Sequence, residues 1–286
     1  MTDFLGSDNE PGGEVETEPL FSLVSGEGDG FMLGVAAGDA AGGAWELGYS
    51  AITEQITIIA YQLIESRRLN LDELVRAIRE LDGSEYEENV YRSETPHFRT
   101  WLDRAAAGYA IPEDEASPDG IARSVAIGVA FRDDPGAVVS GSIELGRLFH
   151  RDASSVAAGT IIAAAVAASC FGQSGRDLVF GVGEVIVPAV DQIGADLVGS
   201  DRLETLEREF LDLLAAVGTV SGAEVMKLMG EFVDDPIRLA LAGLLLAAPV
   251  NEVYHSPIEQ AVRIGGSVLG AATGAIVGAR IGIKAW

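Results

Sequence analysis

The sequence predicts an all-α protein with one compact multi-helix domain, and three observations predict it. Apolar residues recur at helical spacing in successive segments, and helix start and stop signals flank several of them. No hairpin turn separates alternating apolar and polar runs. Glycines recur every four residues near both ends of the chain, at Gly34, Gly38 and Gly42 and again from Gly266 to Gly282.

Four amphipathic stripes are flanked by capping signals and predict helices in order along the chain. In the first, Asn70 and Glu73 are spaced as a capping box and Gly83 is the stop signal. The others begin at an Asp or Ser followed three residues later by Glu, or at a proline in the first helical position. The predicted segments are 70–83, 201–218, 221–232 and 236–249.

Two stretches without charge, residues 153–175 and 264–279, are candidates for membrane spans or for buried helices. The first is rich in Ala and Ser and lacks the basic flanks and aromatic belts of a span. Both are therefore predicted to be buried helices, and no membrane contact is expected. A third apolar stretch, residues 176–193, contains Pro188 and is predicted to be a kinked or interrupted helix.

The two glycine stripes, near opposite ends of the chain, indicate whether the chain forms one domain. Glycine inside a helix costs about 1 kcal/mol relative to alanine, so a stripe at spacing four suggests that another backbone packs against it. If the two glycine faces meet, residues 28–286 form one domain; the alternative is two ordinary helices that pack elsewhere. Residues 1–27 are acidic and interrupted by Gly and Pro, which predicts a disordered tail and no signal peptide.

The charge is strongly negative. The chain has 44 Asp and Glu against 19 Lys and Arg, a formal net charge of −25, and its lysines are Lys227 and Lys284. Such a surface repels nucleic acid, so no nucleic-acid partner is expected. Many carboxylates with few lysines indicate a cytoplasmic protein of a salt-adapted organism; a generic acidic bacterial protein is the alternative. A single cysteine, Cys170, excludes an intramolecular disulfide.

Four segments carry motifs in order along the chain. The first has the pattern G-D-A-x-G-x-x-x-E, here from Gly38 to Glu46, with Asp39 as its acid. The second contains the pair Ala122 and Arg123. The others are the helix that follows His150 and the closing glycine-rich helix, and the four segments are 38–46, 117–131, 148–168 and 261–286. Together they resemble the ADP-ribosylglycohydrolase family, which includes the dinitrogenase reductase-activating glycohydrolases and the J-type crystallins.

The resemblance implies a pair of magnesium ions bound by a Thr-Asp-Asp run and an Asp-Thr-Asp-Thr run. Residue by residue, the first run falls on Ser50, Ala51 and Ile52, with Thr53 next, and the second on Ser267, Val268, Leu269 and Gly270. All four aspartates are replaced. Magnesium needs near-octahedral oxygen ligands, so neither metal nor any other cofactor is expected. Only residues 47–49 separate Glu46 from Ser50, where the family has a loop over its substrate.

Other residues are candidates for a rebuilt site. Asp39, Glu46 and Glu54 can form a carboxylate cluster, or can be ordinary helix-start and surface acids. His150 matches a family position, and His97 and His255 are further possible bases. Asp119 and Arg123 are expected to be an ion pair in the cleft, or else a cap and a surface arginine. The predicted cleft residues are Ser50, Ala51, Ile52, Thr53, Asp119, Arg123, His150, Ser267, Val268 and Leu269.

Three functions from different classes are compatible with the resemblance. The first is a noncatalytic member that binds an ADP-ribose-like molecule or a protein partner in its cleft. The second is an active hydrolase of ADP-ribosyl glycosides that uses Asp39, Glu46, Glu54 or Asp119 with a relocated metal site or none. A third is a structural or assembly role, as in the crystallins. The loss of every metal-run aspartate favours the first.

Overall fold

The structure, a computed structural model, describes residues 27–44, 50–82, 91, 94–108, 112, 115–219, 224, 234–249 and 255–282. These residues form helices and contain no β-strand, which confirms the predicted all-α class. The first helices are α1 (Glu27–Asp39), α2 (Ala51–Ser66), α3 (Leu71–Asp82), α4 (Pro96–Ala106), α5 (Gly120–Arg123), α6 (Val125–Ala130) and α7 (Pro135–Phe149). They are followed by α8 (Ala153–Cys170), α9 (Gly175–Ile186), α10 (Val190–Gly194), α11 (Leu206–Ala216), α12 (Pro236–Ala247) and α13 (His255–Ile281).

Many of these helices start with an N-cap residue. Its side-chain oxygen accepts a hydrogen bond from a backbone N–H group of the first turn, which has no partner within the helix. The Oδ1 atom of Asn70 accepts from the N–H of Glu73 at 3.3 Å, as the capping box predicts. Three other helices combine a cap with a proline in the next position, where its missing N–H costs nothing. Their cap and proline pairs are Thr95 with Pro96, Asp134 with Pro135, and Asp235 with Pro236.

The other sequence predictions for helices are confirmed where residues are described. Residues 176–193 form an interrupted helix: α9 ends at Ile186, Val187–Ala189 form a 3₁₀ turn that contains Pro188, and α10 follows. The segment 201–218 begins with the 3₁₀ turn Ser200–Thr205 before α11. Gly83 and all of 221–232 except Glu224 lie outside the described residues, as does nearly all of the predicted tail 1–27.

The Ala-rich helix α8 is the centre of the fold. All but one of its residues are buried, and it is surrounded by α5, α6, α7, α9, α12 and α13. By length and composition α8 and Ser256–Ile281 are apolar enough to cross a membrane, but 94% and 67% of their apolar windows lie inside the protein. A helix that is apolar on every side is typical of a protein core or of a membrane span. The prediction of no membrane contact remains a prediction.

The two glycine faces meet. Helix α1 packs against α13, and glycines of the two helices face one another in pairs: Gly30 with Gly278, Gly34 with Gly274, and Gly38 with Gly270. A β-carbon added to Gly30 would lie 2.5 Å from the carbonyl oxygen of Gly278, and the other pairs are closer still. The two helices therefore touch along their backbones, and the alternative of separate packing is wrong.

We expect Gly34→Ala to lower the free energy of unfolding by about 2 kcal/mol, because its β-carbon would overlap the carbonyl of Gly274 and a packed backbone cannot yield as a side chain can. Gly183→Ala is the matched control. It also lies in a helix, but its β-carbon would meet Phe210 only at 3.5 Å, an ordinary contact. The control should be neutral or stabilising by up to about 1 kcal/mol. Urea unfolding curves of both variants check this; equal midpoints would contradict close backbone packing.

Candidate functional site

Asp39, the acid of the first motif, is the last residue of α1 and is completely buried. Its carboxylate accepts hydrogen bonds from the start of α2. Ser50 donates its N–H to Oδ2 at 2.8 Å and its hydroxyl to Oδ1 at 2.6 Å. Thr53 donates its hydroxyl to Oδ2 at 2.7 Å and its N–H at 3.3 Å. A carboxylate near a helix N-terminus is favoured by the helix dipole, so Asp39 fastens α2 to α1.

The second metal run lies where α13 bends. The backbone of Gly265 and Gly266 is not helical, and Gly266 has a φ of 61°, so the last straight part of the helix begins at Ser267. The hydroxyl of Ser267 donates to the backbone carbonyl of Asp39 at 3.1 Å. The end of α1 thus holds both α2 and α13.

Leu269 occupies a fitted apolar space. It is completely buried, and β-carbons added to Gly243 and Gly265 would lie 2.9 Å and 2.7 Å from its side-chain atoms. Val268 is also buried in the core. The absence of a side chain at Gly243 on α12 and at Gly265 on α13 therefore leaves the space that the Leu269 side chain fills.

The first metal run opens α2. Ser50 is its N-cap, with Oγ accepting from the N–H of Ile52 at 3.2 Å. Ala51 is buried, whereas Ile52 is half-buried against the core. Glu54 is half-buried in the first turn. Glu46 lies outside the described residues, as does the short connection 47–49.

A second polar group surrounds Arg123 in the interior. Its guanidinium donates to Oε1 of Gln55 at 2.5 Å and to Nε2 of His150 at 3.1 Å. It also pairs with Asp119 at 3.9 Å and lies 4.4 Å from the ring centre of Phe149. The carboxylate of Asp119 accepts a further hydrogen bond from the Thr95 hydroxyl. Arg123 and Asp119 are thus a buried ion pair, and the interpretation as a cap and a surface arginine is wrong.

Burial controls the protonation of this group. It lowers the pKa of Arg123 to about 10, and Asp119 opposes that shift, so the guanidinium stays charged at neutral pH. Burial, with the charges of Arg123 and His97, holds the pKa of His150 well below 6.5. Since Nε2 accepts from Arg123, the proton of the neutral ring lies on Nδ1. That Nδ1 is buried and has no partner among the described residues.

We expect the protein to lose stability as the pH falls below about 6.5, by at most about 1.4 kcal/mol per pH unit from this histidine. The unfolded chain takes up a proton on His150 in this range, whereas the folded protein does not. His150→Gln keeps an acceptor for Arg123 and does not titrate, so its unfolding free energy should vary less between pH 6.5 and pH 5. Urea unfolding at several pH values measures the difference; parallel profiles would contradict it.

The structure brings Ser50, Thr53 and Ser267 together around Asp39, and Asp119 and His150 together around Arg123. Leu269 packs instead against Gly243 and Gly265. Sequence reasoning missed Gln55, Thr95 and Phe149, which complete the second group. Gln55 had a usable signal, since it is a polar residue on the buried stripe of α2. Of the other proposed bases, His97 is half-buried and the side chain of His255 lies outside the described residues.

The chemistry available to these groups is limited by their partners. Both oxygens of Asp39 accept bonds that hold α2, and Asp119 is paired with Arg123 and Thr95. Within the described ranges no three His, Cys, Asp or Glu side chains cluster closely enough to hold a metal ion. The arrangement fixes helices and places a guanidinium in the interior.

The compact all-α domain, in which α1 packs against α13, and the order of the motif segments are consistent with the ADP-ribosylglycohydrolase fold. The family model described as ADP-ribosylglycohydrolase matches residues 29–285. The chain therefore belongs to the ADP-ribosylglycohydrolase family. A comparison with curated proteins found no match.

Proposed function

We propose that this protein is a noncatalytic member of its family, a helical scaffold that binds an ADP-ribose-like molecule or a protein partner without magnesium-dependent hydrolysis. The observation that carries the proposal is Leu269. It stands where the resemblance expects a metal-binding aspartate, and it is completely buried against Gly243 and Gly265. A side chain packed in this way serves the core.

The residues at the other expected metal positions do not fit a magnesium pair. Ala51 and Ile52 have no side-chain oxygen, and the single hydroxyl of Ser267 donates to the carbonyl of Asp39. Magnesium binds hard oxygen ligands, chiefly carboxylates, in near-octahedral geometry. We therefore derive no reaction step through a metal.

The acids available for metal-free hydrolysis are poorly suited to it. A general acid or base needs a carboxyl group that can exchange a proton with substrate. Both oxygens of Asp39 accept hydrogen bonds from Ser50 and Thr53. Asp119 forms an ion pair with Arg123, and its Oδ2 atom accepts a hydrogen bond from Thr95. Glu54 and Glu46 are left as the candidates of the alternative, an active ADP-ribosyl hydrolase.

The test compares the purified protein with Glu46→Gln and Glu54→Gln in molar potassium chloride, with magnesium and an ADP-ribosylated peptide. Released ADP-ribose is measured by chromatography, and an active family hydrolase shows that the assay works. We expect release at the level of the blank for all three proteins. Release that either substitution abolishes would contradict the proposal and establish the hydrolase.

The proposed binding of an ADP-ribose-like molecule is tested by a separate measurement. Calorimetry with ADP-ribose should give the same affinity with magnesium and with a chelator, because no metal takes part. Affinity that depends on magnesium would contradict the scaffold. The high-salt conditions follow from the proposed origin, the cytoplasm of a salt-adapted organism, to which the net charge of −25 points.

A further inference from the structure

An apolar groove with a volume of about 210 Å³ opens between α9 and α11. Phe210 is buried beneath it, and Gly183 lies beside the Phe210 ring without a side chain to fill the space. The volume is below that of a typical small-molecule site, which is roughly 300–1,000 Å³. The groove therefore suits one or two inserted side chains of a partner better than a compact ligand. Its other apolar lining residues include Val179, Val187, Pro188 and Leu214.

Two large apolar side chains are exposed at this groove. Phe180 on α9 is 56% exposed and Leu211 on α11 is 61% exposed. A single exposed apolar residue is ordinary, but several together around an apolar groove are typical of an interaction surface. Because both side chains line the same groove, a partner that covers it removes both from water.

The charged residues that line the groove are both glutamates, one on each wall. Glu184 lies on α9, four residues after Phe180, and Glu207 lies on α11, four residues before Leu211. Residues four apart share one face of a helix. Both glutamates are exposed, and neither forms an ion pair with any residue that the structure describes. Each wall therefore offers one apolar side chain and one free carboxylate.

Charge complementarity distinguishes between the possible occupants of the groove. A second copy of this chain that presented the same groove would place its carboxylates against Glu184 and Glu207, which is repulsive. A helix with an apolar stripe, flanked on both sides by Lys or Arg, matches the apolar floor and both carboxylates. Recognition of a helix in a groove uses such a stripe, with apolar residues at spacing three and four.

We propose that the groove between α9 and α11 is a docking site for a basic amphipathic helix of a protein partner. The apolar stripe of that helix covers Phe180 and Leu211, and its basic side chains pair with Glu184 and Glu207. Neither α9 nor α11 supplies a residue of the predicted cleft. The docking site is therefore independent of whether the protein hydrolyses ADP-ribosyl bonds.

The probe is a designed helical peptide of about 15 residues, a length at which isolated helices begin to form in water. It has leucines at spacing three and four and lysines on both sides of them; its partner peptide has glutamates in place of the lysines. Binding of the fluorescent peptides is followed by anisotropy in molar potassium chloride. There charges are screened beyond roughly 3 Å, so the general attraction of a basic peptide to an acidic surface is suppressed. The lysine peptide should bind saturably, and the glutamate peptide about 10-fold more weakly.

A double variant tests the two carboxylates. Glu184→Gln combined with Glu207→Gln should weaken binding of the lysine peptide about threefold, as expected for two exposed ion pairs. Asp103→Asn combined with Glu144→Gln is the matched control. It removes two exposed carboxylates on α4 and α7 that do not line the groove, and it changes the net charge equally. The control should bind the lysine peptide as the wild type does.

Leu211→Ser tests the apolar contact and should weaken binding of the lysine peptide about 10-fold. Phe180→Ser repeats the test on the other wall, and urea unfolding checks that both variants fold. The proposal is overturned if the wild type binds neither peptide or both equally, if the two double variants lose the same affinity, or if both serine variants bind as tightly as the wild type. It is also overturned if sedimentation shows a dimer of the protein alone that Leu211→Ser dissociates, because a second copy then fills the groove.

Discussion

Asp39→Ala is expected to lower the free energy of unfolding by about 4 kcal/mol, because it leaves several buried donors without an acceptor. Asp39 accepts the hydroxyl and N–H groups of both Ser50 and Thr53 at distances of 2.6 to 3.3 Å. The hydroxyls can turn towards other acceptors, but the N–H groups at the start of α2 cannot. Chemical denaturation in molar salt measures the loss.

Asp39→Asn is the matched control for this prediction. It keeps the size and one acceptor oxygen but turns an NH₂ group towards donors, so about half of the loss should remain. Thr53→Val, which removes one donor and leaves a carboxylate bond unmade, should cost about 1 kcal/mol. A stable Asp39→Ala protein that has lost only ligand binding would show that the residue serves the site and not the fold.

Local signals explain why the helices were predictable from the sequence. The capping box of Asn70 and Glu73, the proline that opens α12 and the interruption at Pro188 each depend on neighbours in the chain. The sequence also suggested the contact between the glycine faces, because glycine at spacing four is costly in a helix unless another backbone packs against it. The spacing of glycines along one helix thus indicated a contact with a helix that is distant in the sequence.

The site was less predictable because its groups are assembled by tertiary packing. Asp39 looked like a candidate acid within its own motif, but its donors lie 11 and 14 residues further on, at the start of another helix. Gln55 and Arg123 are 68 residues apart in the chain and meet only after α2 and α5 pack. No spacing rule links such pairs, so their partners follow from the fold alone.

Close packing occupies the part of α13 where the resemblance expects the second metal run. Gly270, which stands in the second metal run, packs against the backbone of Gly38. Its neighbour Leu269 fills the space beside Gly243 and Gly265 on the other side. Residues 269 and 270 are therefore closely packed on two sides. A charged side chain at either position would disturb these contacts.

Leu269→Asp is expected to have the largest effect of all, a loss of about 5 kcal/mol of unfolding free energy, because it buries a carboxylate among apolar neighbours and removes a packed side chain. Leu269→Asn is the control of similar shape without the charge and should cost less. The difference between the two should shrink at low pH, where the new carboxyl group takes up a proton.

The same variant tests whether the family's metal site persists in a latent form. If Leu269 merely replaces one ligand of an otherwise intact site, millimolar magnesium should restore the stability of Leu269→Asp by binding the folded state. We expect no recovery, because Ala51 and Ile52, at the other expected metal positions, have no side-chain oxygen to offer. Thermal unfolding of both variants with magnesium and with a chelator decides the matter: a rise in midpoint for Leu269→Asp alone would show that the space beside Gly243 and Gly265 still accepts an ion.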